Sequence, residues 1–366
     1  MNILIPNLGT TSLKYQLLAM PDEKELLRGR AERVSDYEAA IASIDLAGYV
    51  VDAVAFKAVH AGPRYRGTFV VDDGVLGALE EFLPAAPAHN AIYLTGIRAF
   101  QRAMPGVPLV AALETEFHRT MPECAARYGV PSSWHEEYGV RRYGFHGASH
   151  QYVSEWTPRI LGRDRDSIRI VSCHLGGSAS VCAIRAGRSV DVTMGFSPQS
   201  GLENATRHGD LDVYAVLSVM RRRGLGIDEV TAELARNSGL AGLSGIAGGD
   251  VRDLEVAAGK GSEEAELALA VLSYQVKKTI GAYAAVMGGL DAIAFTGGIG
   301  ENSARLRERC TDGLKFLGVR LDRDRNYNGK GDRLVSAHDS DVAVLAMATN
   351  EELVVARRAY ELLMRG

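Results

Sequence analysis

Three glycine turns, each closing an apolar run, carry most of the chemistry this sequence offers. Ile3, Leu4 and Ile5 lead into Asn7-Leu8-Gly9-Thr10-Thr11-Ser12, and Ile168, Ile170 and Val171 lead into His174-Leu175-Gly176-Gly177-Ser178. A third run, Asp291 to Phe295, leads into Thr296-Gly297-Gly298-Ile299-Gly300. Glycine has no Cβ, so a phosphate can come within hydrogen-bond distance of such a turn's N–H groups. None of the three reads GxxxxGK[ST], and Gly-Gly-Ile-Gly is not a clean GxGxxG, so neither a P-loop nor a dinucleotide fold is favoured. Together, with their polar flanks, they point to phosphate or nucleotide binding. Lys14 stands beside the first turn, where its charge suits phosphates. Glu114 ends the apolar run Val107 to Leu113, and an acid at a strand's C-terminal end is well placed for active-site work in an α/β protein. Arg207 lies just before a Gly-Asp turn, where an exposed arginine also needs no function. Asn7, at a strand-to-turn position, and Glu351, at a helix start, read by themselves as caps, although Asn350 already supplies one beside Glu351.

These residues need a framework. The first two turns are each followed by a returning apolar run, Leu13 to Leu18 and Val181 to Ile184. Two similar hairpins, one opening each half, imply a duplicated fold with a nucleotide held between the copies. Val51 to Val59, Thr68 to Val71, Val107 to Leu113, Asp291 to Phe295 and Val342 to Ala348 read as further strands. Helices are expected from Asp72 to Phe82, from Ala91 to Met104 after Pro84 and Pro87, and from near Ser149. Others are expected from Asp210 or Asp212 to Gly224, from a cap at Asp228 to Gly239, from Ser262 towards Gly288, from Asn302 to Leu317, and after Asn350. Residues 21–50 are charged and mixed and give no clear element. Strands alternating with helices mean a largely parallel sheet flanked by helices. Composition shifts between Glu116 and Tyr143, which places a domain boundary there.

The 366 residues suit two domains. A formal net charge of −4 leaves no basic excess to neutralise nucleic acid. The run Arg221-Arg222-Arg223 reads as the last turn of a helix before Gly224. Cys124, Cys173, Cys182 and Cys310 show no CxxC spacing, as in a reduced cytoplasmic protein. No secretory signal pattern opens the chain, and the most apolar region, Ile280 to Ile299, is broken by Asp291 and several glycines, so no membrane span is expected.

Six blocks carry a resemblance. Asn-Leu-Gly-Thr-Thr-Ser-Leu-Lys (7–14), Arg-Tyr-Gly-Phe-His-Gly-Ala-Ser-His (142–150), Cys-His-Leu-Gly-Gly (173–177), Thr-Arg-His-Gly-Asp (206–210), Phe-Thr-Gly-Gly-Ile-Gly-Glu-Asn (295–302) and Thr-Asn-Glu-Glu-Leu (349–353) resemble the signatures of the acetate kinase family, in the family's order. The resemblance implies an α/β fold of duplicated ribonuclease H-like (actin-like ATPase) domains with an interlobe cleft. One lobe is residues 1–118 plus 351–366, on the acceptor side. The other is 119–350, with nucleotide binding and dimerisation. It implies ATP as co-substrate, Mg²⁺ (or Mn²⁺) near Asn7 and Glu351, and usually a homodimer. Glu114, His146 and Arg207 take the catalytic positions, the last two as cationic donors to the transferring phosphoryl group. His150 reads as structural. Lys57 takes the substrate-binding position. Lys14, His174, Leu175, Gly176, Gly177, Ser178, Asp250, Val251, Arg252, Gly298, Ile299, Gly300, Glu301 and Asn302 take the ATP-binding ones. Val59, His60 and His89 are weaker candidates for the wall of the acid pocket.

The sequence departs from the family's pattern at four places. Glu114 stands for an aspartate, Lys57 for an arginine, Gly177-Ser178 for Asn-Gly, and Thr10-Thr11 for serines. A lysine is a point charge without the bidentate fork of arginine. The expected reaction is phosphorylation of a short carboxylate, foremost acetate, by ATP. Propionate, butyrate or another small acid, a pyrophosphate donor, and a nucleotide-binding regulator with decayed catalytic groups stand as alternatives.

Overall fold

A computed structural model describes residues 1–9, 12–34 and 36–365, with Ala88 by its backbone alone. Thr10 and Thr11 of the first turn lie outside the described residues. Two six-stranded sheets share one topology. The first holds β1 (Asn2–Gly9), β2 (Ser12–Ala19), β3 (Lys24–Glu32), β4 (Ala53–Ala58), β5 (Thr68–Val70) and β6 (Leu109–Leu113), in the order β3-β2-β1-β4-β6-β5. The second holds β7 (Arg169–Leu175), β8 (Ala179–Arg185), β9 (Arg188–Val192), β10 (Ala292–Thr296), β11 (Arg333–Leu334) and β12 (Ala343–Ala346), in the order β11-β12-β10-β7-β8-β9. In each, three strands form an antiparallel meander, and the first of the three continues into parallel pairing. β1 pairs with β4 and β4 with β6; β7 pairs with β10 and β10 with β12. Each sheet ends on an antiparallel strand, β5 on β6 and β11 on β12. The expected duplicated α/β architecture is thus present strand for strand.

The central parallel strands β6 and β10 are buried at every position, as strands covered on both faces must be. Between the sheets lie two helices, Gly147–Leu161 and Glu351–Arg365. One apolar cluster joins them to Ile3, Ile5, Ala53 and Val110 of the first sheet and Ile170, Ile184, Ala292 and Leu345 of the second. The outer face of the first sheet packs on helices Asp73–Glu81 and Pro87–Ala103, and that of the second on the long helix Glu263–Met287. Strand alternation decides which side chains look inward. In β7 the inward set is Ile170, Ser172 and His174, while Val171, Cys173 and Leu175 face outward.

Several expected boundaries move for identifiable reasons. Pro87 does not interrupt a helix but opens one, at the first-turn position where its missing N–H costs nothing. Asp228 is not a cap; Gly226 takes that position, with Glu229 bonding back to its N–H at 2.8 Å. The third glycine turn is itself helical, Gly297–Asn302, and Ala304–Thr311 follows as a separate helix. Residues 21–50 contain edge strand β3, whose charged side chains alternate towards solvent. The caps at Asp72, Asp212, Ser262 and Asn350, and the helix-ending Gly224 and Gly288 at φ +67° and +69°, are as read.

Candidate active site

The C-terminal ends of β4 and β6, the start of the Gly147–Leu161 helix, the β7–β8 turn and the start of the Glu351–Arg365 helix supply one group of polar residues. Lys57 sits one residue before the end of β4, and its ammonium contacts the Glu351 carboxylate directly. Glu114 follows β6, and its backbone is pinned on both sides. Its N–H donates to Ala58 O at 2.8 Å, and its carbonyl accepts from Gly147 N–H at 3.1 Å. A Cβ at position 147 would lie 2.1 Å from that carbonyl, so glycine is required at the close approach. The Glu114 side chain is buried, and its Oε1 has no hydrogen-bond partner among the described residues.

Charge decides the protonation states here. Burial raises the Glu114 carboxyl above the usual carboxylate range; Lys57 and Arg358 oppose that, and Glu351 adds to it. Burial acts the same way on Glu351, but Lys57 and His174 outweigh it and hold its pKa low. Burial would strip Lys57 of its proton, yet Glu351 and Glu114 hold its pKa well above the ordinary value. The cluster therefore carries a lysine cation, an ionised Glu351 and a Glu114 that takes up protons easily. Tyr93, pushed up to about 12 by burial, borders it as a neutral phenol.

His146 caps the Gly147–Leu161 helix in the left-handed region, φ +57° and ψ +30°, a rare conformation for a non-glycine residue. Its ring lies 4.3 Å from that of His174, centroid to centroid. Its Nδ1 meets Ser180 Oγ at 2.8 Å, and His174 Nδ1 meets Ser149 Oγ at 2.8 Å. Burial, then the neighbouring His174 and His150, push the His146 pKa well below the ordinary histidine value. Where the sequence led to the expectation of a cationic histidine, the fold holds this imidazole neutral at pH 7.

Arg207 is held in a cradle. It donates to Pro198 O at 2.9 Å, to Ser178 Oγ, and to Asn204 Oδ1 at 3.3 Å. Asn204 is buried and accepts the Ala179 N–H at 2.6 Å, tying the arginine to the β7–β8 turn. Burial lowers Arg207 to about 10, so it remains a cation at neutral pH. His89, lowered to about 4 by burial and then by Arg207 and Lys57, feels both cations and so stands near both. His60, by contrast, is a packed core residue. Its Nδ1 accepts from Gly62 N–H at 3.2 Å, its Nε2 meets Phe196 O at 3.1 Å, and Phe82, Tyr143 and Phe145 surround the ring. Val59 is buried in the core of the first sheet.

Beside this group lies a cavity of about 560 Å³. It gathers Gly176, Gly177, Asp250, Val251, Arg252, Gly298, Ile299 and Asn302, all expected at a nucleotide. Sequence reasoning missed Ala205, Leu240, Gly248, Gly249, Glu255 and Ser303 in the same wall. Gly249 has φ +60°, and a Cβ there would sit 2.1 Å from Ala205 O; the Gly248-Gly249 pair was the readable signal. Leu175 and Gly300 do not line the cavity: Leu175 is fully buried in the core, and Gly300 packs against Phe295. Glu301 also lies outside the cavity lining; its backbone carbonyl accepts from Arg307 at 2.9 Å. Lys14 pairs with Asn7 across β1 and β2 and is exposed. Asn7 donates to Glu352 at 3.5 Å, not to Glu351. A larger hollow of about 740 Å³, lined by Cys124, Arg185, Arg188 and Val286 among others, contains none of the expected site residues.

A model of the acetokinase family matches residues 42–357. An acetate kinase of Coprothermobacter proteolyticus is 42% identical over 400 aligned residues, covering 100% of both chains. The chain belongs to the acetokinase family. An acetate kinase of Thermotoga maritima is likewise 42% identical over 398 residues, covering 99% of this chain and 98% of that one. Among solved structures, acetate kinase from Porphyromonas gingivalis superposes with a TM-score of 0.88 at 34% identity, covering 99% of each chain. A propionate kinase from Francisella tularensis superposes with a TM-score of 0.89 at 30% identity, covering 98% of each. Lys57 and Ser178, read from the sequence as departures from the family's pattern, make the contacts to Glu351 and Arg207.

Proposed function

We propose that this acetokinase transfers the γ-phosphoryl group of ATP to a short carboxylate, foremost acetate, giving an acyl phosphate and ADP, and that it runs in reverse. The observation that carries the reading is full-length identity of about 40% to acetate kinases, in a chain whose Lys57, Glu114, His146, Arg207 and Glu351 act on one another electrostatically. The acid's carboxylate is already ionised, so its attack on phosphorus needs no base. Lys57 and Arg207 attract it from two sides. Arg207, and His146 through a neutral N–H, meet the charge that grows on the phosphoryl oxygens. Glu114 orders the acceptor side. The cavity bounded by Gly177, Asp250 and Asn302 takes the nucleotide.

Among the described residues no three His, Cys, Asp or Glu side chains converge as a ready-made metal site. A sparse oxygen set still fits Mg²⁺, which needs one or two carboxylates and keeps several waters. The buried Oε1 of Glu114, without a partner among the described residues, leaves this cluster an acceptor to spare. Asn7 and Glu351 would hold the ion, with Mn²⁺ as a substitute. Bound there, it would neutralise phosphate charge.

The chain divides, in this reading, into a lobe of residues 1–118 plus 351–366 and a lobe of 119–350 that close on the substrates and exclude water. A second copy covers the helix Val213–Arg223, which buries none of its side chains and exposes Val213, Tyr214 and Leu217. Among the described residues no helix is long and apolar enough to cross a membrane. Four free cysteines and the use of ATP fit the cytoplasm. The Francisella tularensis likeness gives propionate a place as second acceptor. ADP release with acetate, propionate and butyrate, with pyrophosphate as a donor control, tests the reading. Turnover with a short acid and ATP is expected; tight ATP binding without turnover on any of the three acids would overturn it in favour of a regulator.

A further inference from the structure

A column of hydrogen bonds runs from His146 into the core. His146 Nδ1 meets Ser180 Oγ at 2.8 Å, Ser180 Oγ meets His150 Nε2 at 2.9 Å, and His150 Nδ1 meets Ser172 Oγ at 2.8 Å. His150, Ser172 and Ser180 are wholly buried. The strand register explains the column. Ser172 and Ser180 stand on adjacent antiparallel strands β7 and β8, on the face that meets the Gly147–Leu161 helix. His146 and His150 are one helical turn apart on that helix.

We propose that Ser172, His150 and Ser180 act as positioning residues that fix which ring nitrogen of His146 carries the proton, holding it on Nε2, where it donates to the phosphoryl group. The proposal rests on the reading of His146 as a phosphoryl-facing residue.

The number of hydrogens in the column limits how it can run. A neutral imidazole has one N–H, and a serine hydroxyl has one O–H. The column therefore has two self-consistent directions. In the inward one, His146 Nδ1–H donates to Ser180, Ser180 to His150 Nε2, and His150 Nδ1–H to Ser172. The hydroxyl hydrogen of Ser172 then needs another acceptor, and Ser172 Oγ makes no other hydrogen bond among the described residues. In the outward one, Ser172 donates to His150 Nδ1, His150 Nε2–H donates to Ser180, and Ser180 donates to His146 Nδ1. Every buried hydrogen is then used, and His146 is left with Nε2–H. That nitrogen has no partner among the described residues, the residue is part-exposed, and Nε2 is not among the buried atoms left without a partner. Leaving a buried hydroxyl hydrogen unmade is unfavourable enough to prefer the outward direction by roughly tenfold or more. His150 stays neutral because burial, followed by the charges of His118 and His174, pushes its pKa well down.

The test is a histidine ¹⁵N spectrum of the full-length enzyme, with resonances assigned through His146→Gln and His150→Gln, joined to steady-state kinetics. His146 is expected as the Nε2–H tautomer, with the Nδ1–H form under about a tenth. In Ser172→Ala the hydroxyl hydrogen that separates the two directions is gone, and the Nδ1–H form of His146 should rise several-fold. kcat should fall with it, KM for ATP and acid staying in place. Ser172→Thr keeps the hydroxyl and should restore both. A wild-type His146 protonated on Nδ1, or a Ser172→Ala spectrum unchanged at His146, overturns the proposal. Undiminished turnover in His146→Ala would instead overturn the role given to His146, a failure that kinetics alone reveals and the spectra do not.

Discussion

Lys57→Met removes the cation on which two buried carboxylates depend. In the wild type Lys57 contacts Glu351 and also stabilises the charge on Glu114. The lysine side chain is 25% exposed and that of Glu351 12%. Breaking a buried pair from one side costs about 3–5 kcal/mol, and partial exposure reduces this to about 2–3 kcal/mol. At about 2.1 cal/mol/K of unfolding entropy per residue, a chain this long loses about 3–4 °C of Tm. The loss should depend on pH with a definite sign. Without Lys57, Glu114 and Glu351 face each other: the pKa of Glu114 rises further above its unfolded value, and that of Glu351, held low in the wild type, is released upward. A carboxyl raised in the fold destabilises it as pH rises and ceases to do so when protonated. The Tm deficit should therefore be largest at pH 8 and shrink towards pH 5. Lys57→Arg, which keeps the charge, should keep most of the stability. Thermal melts of the three proteins at both pH values provide the check, and a deficit equal at pH 8 and pH 5 would refute the shared-cation account. KM for acetate in Lys57→Met should rise at least tenfold, because the acceptor loses its cation.

Arg207→Ala should cut kcat by about 10² while the protein remains folded, since a charge-stabilising donor is lost; ADP release under saturating substrates measures it. His60 and His118 are each lowered by burial to about 3 from an ordinary 6.5. The unfolded chain takes up these protons between pH 6.5 and 3 and the folded one does not, so stability falls as pH drops through that window. At pH 5 the two together should have removed about 4 kcal/mol, which urea melts at pH 7 and pH 5 will resolve. Gly249→Ala places a methyl 2.1 Å from Ala205 O at a left-handed backbone position, and should weaken ATP binding tenfold or more in a nucleotide titration, while Gly281→Ala, in a helix with open space around it and no left-handed φ, leaves affinity in place.

The parts of this molecule that were legible in the sequence are those governed by near neighbours. Glu114 announces itself because a strand ends there, and the parallel strands because both their faces are covered. The β7–β8 turn is readable from its glycines. β3 was hidden because an edge strand facing water has no apolar stripe to show. The Lys57–Glu351 contact joins residues 294 apart in the chain, and no local pattern encodes it. His150 was visible only as a histidine one turn from His146, which describes an ordinary core residue equally well. What gives it a different meaning is the register of β7 and β8, which pairs His174 with Ser180 and sets Ser172 one pleat further in on the same face.

The departures at Lys57, Glu114 and Ser178 are connected through the structure. Each bears on how a charge is held at the proposed phosphoryl site. Lys57 offers one ammonium to Glu351 and, through space, to Glu114. A guanidinium would divide its donors between two partners in a fixed fork, whereas an ammonium can leave one carboxylate for another with little rearrangement. Across the site, Ser178 gives Arg207 a hydroxyl to donate to, in addition to Asn204 and Pro198. The arginine is held by three acceptors, all of which are neutral, so its positive charge is positioned without being cancelled. In the proposed mechanism this leaves a cation shared between two carboxylates on the acid's side and a fixed cation on the phosphate's side. That division suits a reaction in which the acid must enter and the acyl phosphate must leave past Lys57, while the oxygens of the phosphoryl group meet donors that do not move.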